Sequence, residues 1–323
     1  MASLKEIKTR IASVNSTRKI TSAMKMVASS KLHHAQVAIQ NMLPYENLLE
    51  HILKSFLAST PDVTSILEQG HAEVKRVALV VYSSNSSLCG GFNANVLKMM
   101  EHIVAEYAAQ GITDVVIYPV GRKVAERVQK NGWQSAGDFS ALADKPNAHD
   151  CAVVSEAITR KYMAHEIDKV ELVYHHFKSA GSQILTRRTF LPIDLSTEKI
   201  GVMNDRDLTS NVATAKAQEY LRQRDRQRQH VAKEAKPLND NFLVEPNLEY
   251  VLRSLVPKLL NLMVYTALLD SIASEHAARM VAMQTATDNA DELLRTLRLQ
   301  SNKSRQAAIT SELLDIVGGS VNN

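Results

Sequence analysis

The sequence predicts an α/β protein with a long coiled coil: an antiparallel two-helix shaft from the N- and C-terminal segments, with an α/β domain inserted between them. Three observations carry this. The stretch from Asn247 to Val317, about seventy residues, holds no glycine and one proline, Pro257, which is far beyond the usual helix length. A second helical stretch fills residues 3–59, and between the two, short β-branched apolar runs alternate with helical patterns.

A heptad set on Leu252 runs along the C-terminal segment as Leu255, Leu259, Leu262, Thr266, Leu269, Ala273, His276, Met280, Met283, Thr287, Ala290, Leu294 and Leu297. Apolar residues at 3.5-residue spacing give a helix a seam for a partner helix. Leucines at both ends flank a middle of Ala, Met, Thr and His, where a close approach or a change of partner is expected. At 1.5 Å per residue the segment would span roughly 105 Å, so part of it is expected to project.

In the N-terminal stretch Ser3 reads as an N-cap and Glu6 completes a capping box. Leu4, Ile7, Ile11 and Val14 follow 3-4-3 spacing. Ile20, Met24 and Val27 resume it after an offset of six, which predicts a local break in supercoil register. Pro44 is expected to kink or divide the helix. The economical way to bury both stripes is to pair the two helices antiparallel.

The middle reads as a Rossmann-like α/β domain. Val77–Tyr82 and Asp114–Val120 suit buried parallel strands, with helices over 93–109, 123–130 and 151–165 and a weaker strand around 133–139. Residues 170–177 and 182–190 read as two late strands joined by a turn at Ser179, Ala180 and Gly181. The sheet is expected to be mostly parallel with an antiparallel edge. The resulting division is 1–60, N-terminal shaft helix; 74–196, α/β domain; 197–240, a charged insertion; and 245–319, C-terminal shaft helix. The insertion has almost no apolar stripe and reads as a solvated helix or a mobile segment.

Chemistry is sparse. Leu88, Cys89, Gly90 and Gly91 form a turn between the first strand and its helix, where nucleotide-binding α/β folds place phosphate. Neither GxGxxG nor GxxxxGK[ST] is present, and no acidic residue ends the second strand, so the turn reads as an exposed contact surface. Cys89 and Cys151 form no CxxC or Cys/His cluster, and His33, His34, His175 and His176 lack metal-ligand spacing. No catalytic residue, cofactor or metal is expected. Glu275 and Arg279, at i,i+4, read as a surface ion pair.

No run of eighteen apolar residues and no signal peptide is evident. Residues 1–40 hold seven Lys or Arg against one acidic residue, a local charge of +6, which suits a solvated face, an acidic partner or nucleic acid. The basic segments do not interleave aromatics as single-strand binders do, so nucleic acid is not expected. Two competing classes remain: a nucleotide-binding α/β enzyme with a coiled-coil arm, and a basic coiled-coil nucleic-acid binder.

Four segments together carry a resemblance: LKEIKTRIASVNSTRKITSAMKMVASSKL, SLCGGFN, EHAARMVAMQTATDNA and NKSRQAAITSELLDIVGG. The chain resembles the gamma subunit of the F-type ATP synthase at both ends and in the middle; residues 197–240 fall outside the match. The resemblance implies a central-stalk rotor subunit that couples proton-driven rotation of a membrane c-ring to alpha and beta catalytic sites. It is not an enzyme on its own and has no direct small-molecule substrate. The implied partners are three alpha and three beta subunits, the epsilon subunit and the c-ring. Contacts with the alpha/beta ring are implied for Lys19, Ile20, Thr21, Met24, Lys25, Val27, Arg279, Met280, Met283, Thr287 and Asn289. A bearing at the C-terminal tip is implied for Arg305, Gln306, Ile309, Thr310 and Glu312.

This chain has Asn85-Ser86-Ser87 where many members carry an acidic-basic-glycine run, and its insertion lacks the cysteines of the chloroplast dithiol switch. The implied location is peripheral, on the cytoplasmic face of a bacterial inner membrane; a processed organelle protein would read the same way.

Overall fold

A computed structural model describes residues 4–59, 71, 73–193, 245 and 247–321. The elements run α1 (Leu4–Ser59), β1 (Arg76–Tyr82), α2 (Phe92–Ala109), β2 (Asp114–Val120), α3 (Arg122–Asn131), β3 (Gln134–Ser135), α4 (Ser140–Asp144), α5 (Ala148–Met163), β4 (Lys169–Ser179), β5 (Ser182–Leu191) and α6 (Leu248–Val321). Ser3 and the insertion at 197–240 lie outside the described residues. The chain forms two compact units, one of Met1–Ala28 with Arg279–Asn323, the other of Ser29–Ala278.

In the first unit two contacts fix the pairing of α1 and α6. Arg18 reaches Asp291 at 3.0 Å, and Thr21 meets Thr287 at 2.8 Å. Three residues forward on α1 is four residues back on α6, so the helices run antiparallel, as the coiled-coil expectation requires. Extending that register by one step sets Val14 opposite Leu294.

The expected register break is absent. The shielded row on α1 is Ile7, Ile11, Val14, Arg18, Thr21, Lys25 and Ala28, an unbroken 3-4 repeat. Ile20 and Val27, expected to resume the seam, are 60% and 58% exposed. Geometry overrides polarity here: Arg18 and Lys25 can lay their methylene stems along the seam and keep their charges near water. Pro44 does not divide α1, which runs through it as one helix.

The second unit holds the sheet, in the order β3-β2-β1-β4-β5. β1 pairs parallel with both β2 and β4, β2 pairs parallel with β3, and β5 is antiparallel to β4. Val77, Leu79 and Val81 of β1 point to one face, where Val96, Met100 and Ile103 of α2 and Val124 and Val128 of α3 close the core. α3 ends at Gly132, whose left-handed φ of 67° is the usual helix stop. The weaker strand expected around 133–139 shrinks to the two residues of β3, and the short α4 follows it.

α6 opens on a side-chain cap, with Tyr250 N–H donating to Asn247 Oδ1 at 2.8 Å. By length and composition this helix contains a stretch that could cross a membrane, yet 67% of that stretch is buried inside the protein. From Val264 to Glu275 only Tyr265 and Thr266 are even half-exposed, as in a helix buried on every side. Glu275 and Arg279 are both buried, so the face of α6 that carries them is covered and not the solvated surface their spacing predicts.

Candidate functional site

Two features stand out: the seam of the first unit and the turn after β1.

Along the seam, Thr21 Oγ1 also lies 3.0 Å from Arg18 O, and Thr287 Oγ1 lies 2.8 Å from Met283 O. Two hydroxyl protons therefore serve three hydrogen-bonding contacts. When one threonine donates to the other, the acceptor's own proton still reaches a carbonyl one turn back. The Arg18–Asp291 pair is half-exposed at both ends, so it contributes little beyond orientation, about 1 kcal/mol or less.

The residues expected to meet a surrounding ring divide into two sets. Thr21, Arg279 and Met283 are buried, and Met24, Lys25, Met280 and Thr287 are half-buried. Lys19, Ile20, Val27 and Asn289 face outward. Arg305, Gln306, Ile309, Thr310 and Glu312 are all exposed. Sequence reasoning missed Leu293, Leu299, Leu313 and Leu314, which are large, apolar and exposed; Met26, which reads from its spacing as seam packing with Met24, Met280 and Met283, is exposed too. The available signal was an apolar residue standing off the heptad seam. Several exposed apolar side chains on two adjacent helices mark an interaction surface.

In the turn, Leu88, Gly90 and Gly91 are exposed and Cys89 is buried. Leu88 has a φ of 66°, a left-handed conformation that costs an L-residue about 1–2 kcal/mol. Neighbouring side chains hold it there. Asn93 Nδ2 donates to Ser84 Oγ at 2.8 Å and to Cys89 Sγ at 3.1 Å. Ser84 N–H donates to Asn93 Oδ1 at 3.1 Å, and Ser84 Oγ also donates to Ser86 O.

Asn85 uses its amide to hold the turn: Nδ2 donates to Ser140 O and Oδ1 accepts from Arg122 N–H, each at 2.8 Å. Behind it Gly121 has a φ of 114°, and a Cβ there would lie 2.2 Å from Ser83 O. Only glycine fits.

Two buried clusters escaped the sequence reading because their members are far apart in the chain. Glu171 on β4 accepts from Tyr107 Oη and Arg187 Nε, each at 2.7 Å, and pairs with Lys169 Nζ at 2.9 Å. Burial pushes its carboxyl up, but hydrogen bonds from Arg187, Lys169 and Tyr107 outweigh that and hold it below the ordinary value. Arg187 also binds Glu106 at 2.7 Å, so two cations meet two carboxylates.

The second cluster is His176 with Asp270, at 2.9 Å. Next to it on the strand, His175 points the other way and stacks on Phe92 at 4.5 Å; burial lowers its pKa to about 4. Cys151 is buried, and burial raises its thiol to about 12, so it is a packed group and not a nucleophile.

A family model described as ATP synthase matches residues 3–321. The ATP synthase gamma chain of Phocaeicola vulgatus is 51% identical over 323 residues, covering 99% of this chain and 100% of the relative. That of Bacteroides thetaiotaomicron is 49% identical over 321 residues, covering 99% and 100%.

Among solved structures, the rotor of Euglena gracilis mitochondrial ATP synthase in rotational state 1 superposes with a TM-score of 0.57 at 17% identity, covering 95% of this chain and 98% of that one. The central stalk and c-ring structure of Tetrahymena thermophila mitochondrial ATP synthase gives a TM-score of 0.52 at 23% identity, covering 83% and 99%. At these identities the structures speak to the fold alone. The family match over nearly the whole chain, with half its residues shared with the bacterial relatives, shows that the chain belongs to the gamma subunit family of the F-type ATP synthase.

Proposed function

We propose that the chain is the central-stalk rotor of its ATP synthase, coupling proton-driven rotation of a membrane c-ring to alpha/beta catalytic sites, and running in reverse on hydrolysis. The observation that carries this reading is the outer face of the seam, where Ile20, Met26 and Val27 are exposed on α1 beside Lys19. Apolar anchors rimmed by positive charge suit a partner surface that combines a greasy sleeve with acidic residues. Such a shaft acts without making or breaking a bond. If it presents different faces to three otherwise identical sites, its angle sets their nucleotide affinities, and the difference in contact energy is the coupling.

In this reading the chain is non-catalytic and binds no small-molecule substrate. Its partners are three alpha and three beta subunits at the seam, with the epsilon subunit and c-ring at the α/β domain. It sits peripherally on the cytoplasmic face of a bacterial inner membrane. Arg305, Gln306, Ile309, Thr310 and Glu312, with Leu313 and Leu314, form the bearing, and the turn at Leu88 is a docking surface of the α/β domain. The domain limits 1–60, 74–196, 197–240 and 245–319 belong to the same reading.

Co-expression with the alpha and beta subunits tests it. The chain is expected to purify with both in one complex, and Ile20→Asp with Val27→Asp to weaken that association without unfolding the chain. A chain that purifies free of both subunits would contradict the reading.

A further inference from the structure

Within the second unit buried polar contacts fasten α6 to the sheet. Tyr82 Oη donates to Val264 O at 3.2 Å, His176 Nδ1 meets Asp270 Oδ2 at 2.9 Å, and Ser274 Oγ donates to His175 O at 3.1 Å. Asp270 and Ser274 stand one turn apart on the same face of α6, which looks onto β4. Their partners are consecutive residues of that strand. The His176 and Asp270 side chains are only 6% and 2% exposed, so the pair is not a surface ion pair.

Stability does not account for such a pair. Burying a carboxylate and an imidazole costs desolvation that their attraction roughly offsets, and an apolar pair of similar volume would hold the helix about as well. A directional contact supplies what apolar packing lacks, a fixed position along and around the helix axis. Leu259, Leu260, Met263, Ala267, Leu268 and Ala273 are all buried on the same helix. Apolar ridges of that kind admit alternative settings at small cost, because dispersion has no directional preference. His175, stacked on Phe92 of α2, holds the other face of the same strand, so β4 is gripped from both sides.

We infer that His176 and Asp270, with Ser274 one turn on, are the positioning element that locks the rotation of α6 against β4, and so the point through which torque passes between the sheet and the helix. This rests on the rotor reading above. α6 runs as one helix from Leu248 to Val321.

The test uses the assembled, membrane-embedded ATP synthase, with ATP hydrolysis and ATP-driven proton pumping measured on the same vesicles. The apolar double variant His176→Leu with Asp270→Leu keeps the packing and removes the directional contact. It is expected to assemble and hydrolyse ATP at close to the normal rate, while protons pumped per ATP fall severalfold as the opposing gradient builds. The exchange His176→Asp with Asp270→His restores the ratio.

Asp270→Asn, which keeps shape and one hydrogen bond, is expected to give an intermediate ratio and serves if the apolar variant does not assemble. A purely structural role would lower thermal stability and the yield of complex but leave the ratio of pumping to hydrolysis unchanged; that result would overturn the inference. Failure of the rotor reading looks different, because the unsubstituted complex would then show no pumping that depends on this chain.

Discussion

Thr21 and Thr287 meet hydroxyl to hydroxyl, 2.8 Å apart, at the centre of the α1–α6 seam. Each also has a carbonyl of its own helix within reach, at Arg18 and Met283. Losing one partner therefore leaves no orphaned donor. Thr21→Val is expected to cost less than a typical buried hydrogen bond, about 0.5 kcal/mol, and Thr21→Val with Thr287→Val no more than that. A double-mutant cycle on thermal unfolding of the full chain checks this. A large single-variant penalty recovered in the double variant would mean that the hydroxyl pair is a stronger lock than its geometry suggests.

The seam separates residues that hold the helices together from residues that face outward. Leu294 is 2% exposed, so Leu294→Ala should cost about 2–5 kcal/mol by transfer and cavity effects and speed hydrogen exchange in residues 4–28. Ile20→Ala should change stability by no more than about 0.5 kcal/mol, as for most surface sites, yet weaken association with the alpha and beta subunits. The same two variants assayed for both properties should show opposite profiles.

Gly121 and Gly111 both have positive φ, 114° and 84°, but only Gly121 meets backbone where a Cβ would go. Gly111→Ala should lose about 1 kcal/mol from the left-handed conformation alone. Gly121→Ala must also push Ser83 O aside and displace Ser83 Oγ, which accepts from Val124 N–H, so the loss should exceed about 3 kcal/mol. Comparing the melting temperatures of the two variants checks the difference.

His175 gives the second unit a pH dependence. Burial lowers its pKa from 6.5 to about 4. Between those values the unfolded chain binds a proton that the folded chain refuses, so stability rises with pH across this window. The contribution is whole above pH 6.5, falls as the pH drops toward 4, and amounts to up to about 3 kcal/mol. His175→Phe, which keeps a ring against Phe92, should flatten the slope of unfolding free energy between pH 4 and 6.5 measured by denaturant titration. Glu171, held below its ordinary pKa by its hydrogen bonds, adds to the slope with the same sign at the acidic end of this range, because the unfolded chain takes up that proton before the folded one does.

Much of this architecture was legible in the residues. β1, β2, β4 and β5 announce themselves as β-branched runs, and α6 by seventy residues without glycine. The α1 seam was harder to read because three of its central positions are Arg18, Thr21 and Lys25, so an apolar count slides to Ile20 and Val27, which face outward. Burial depends on where the partner helix lies, and a long side chain can satisfy it with its stem. Glu275 and Arg279 misled in the opposite sense, since i,i+4 spacing says nothing about whether that face of the helix is covered. α4 is five residues long and β3 two, too short for any periodicity to register.

Of the candidate surfaces, the turn at Leu88, Gly90 and Gly91 was readable from its glycines, but Cys89, expected to be exposed with them, is buried because its thiol packs inward against Ser84 and Asn93. The His176–Asp270 and Glu171–Arg187 clusters were not readable, because the fold alone brings their partners together.

The most direct test of the central claim is to watch the chain turn. The protein is assembled with its alpha and beta subunits, the complex is fixed through the ring, and an optical reporter is attached to an exposed position of the α/β domain, such as Ser87. On addition of ATP the account predicts one-directional rotation of the reporter, pausing three times per turn. A stationary reporter on a complex that hydrolyses ATP at the full rate would contradict it.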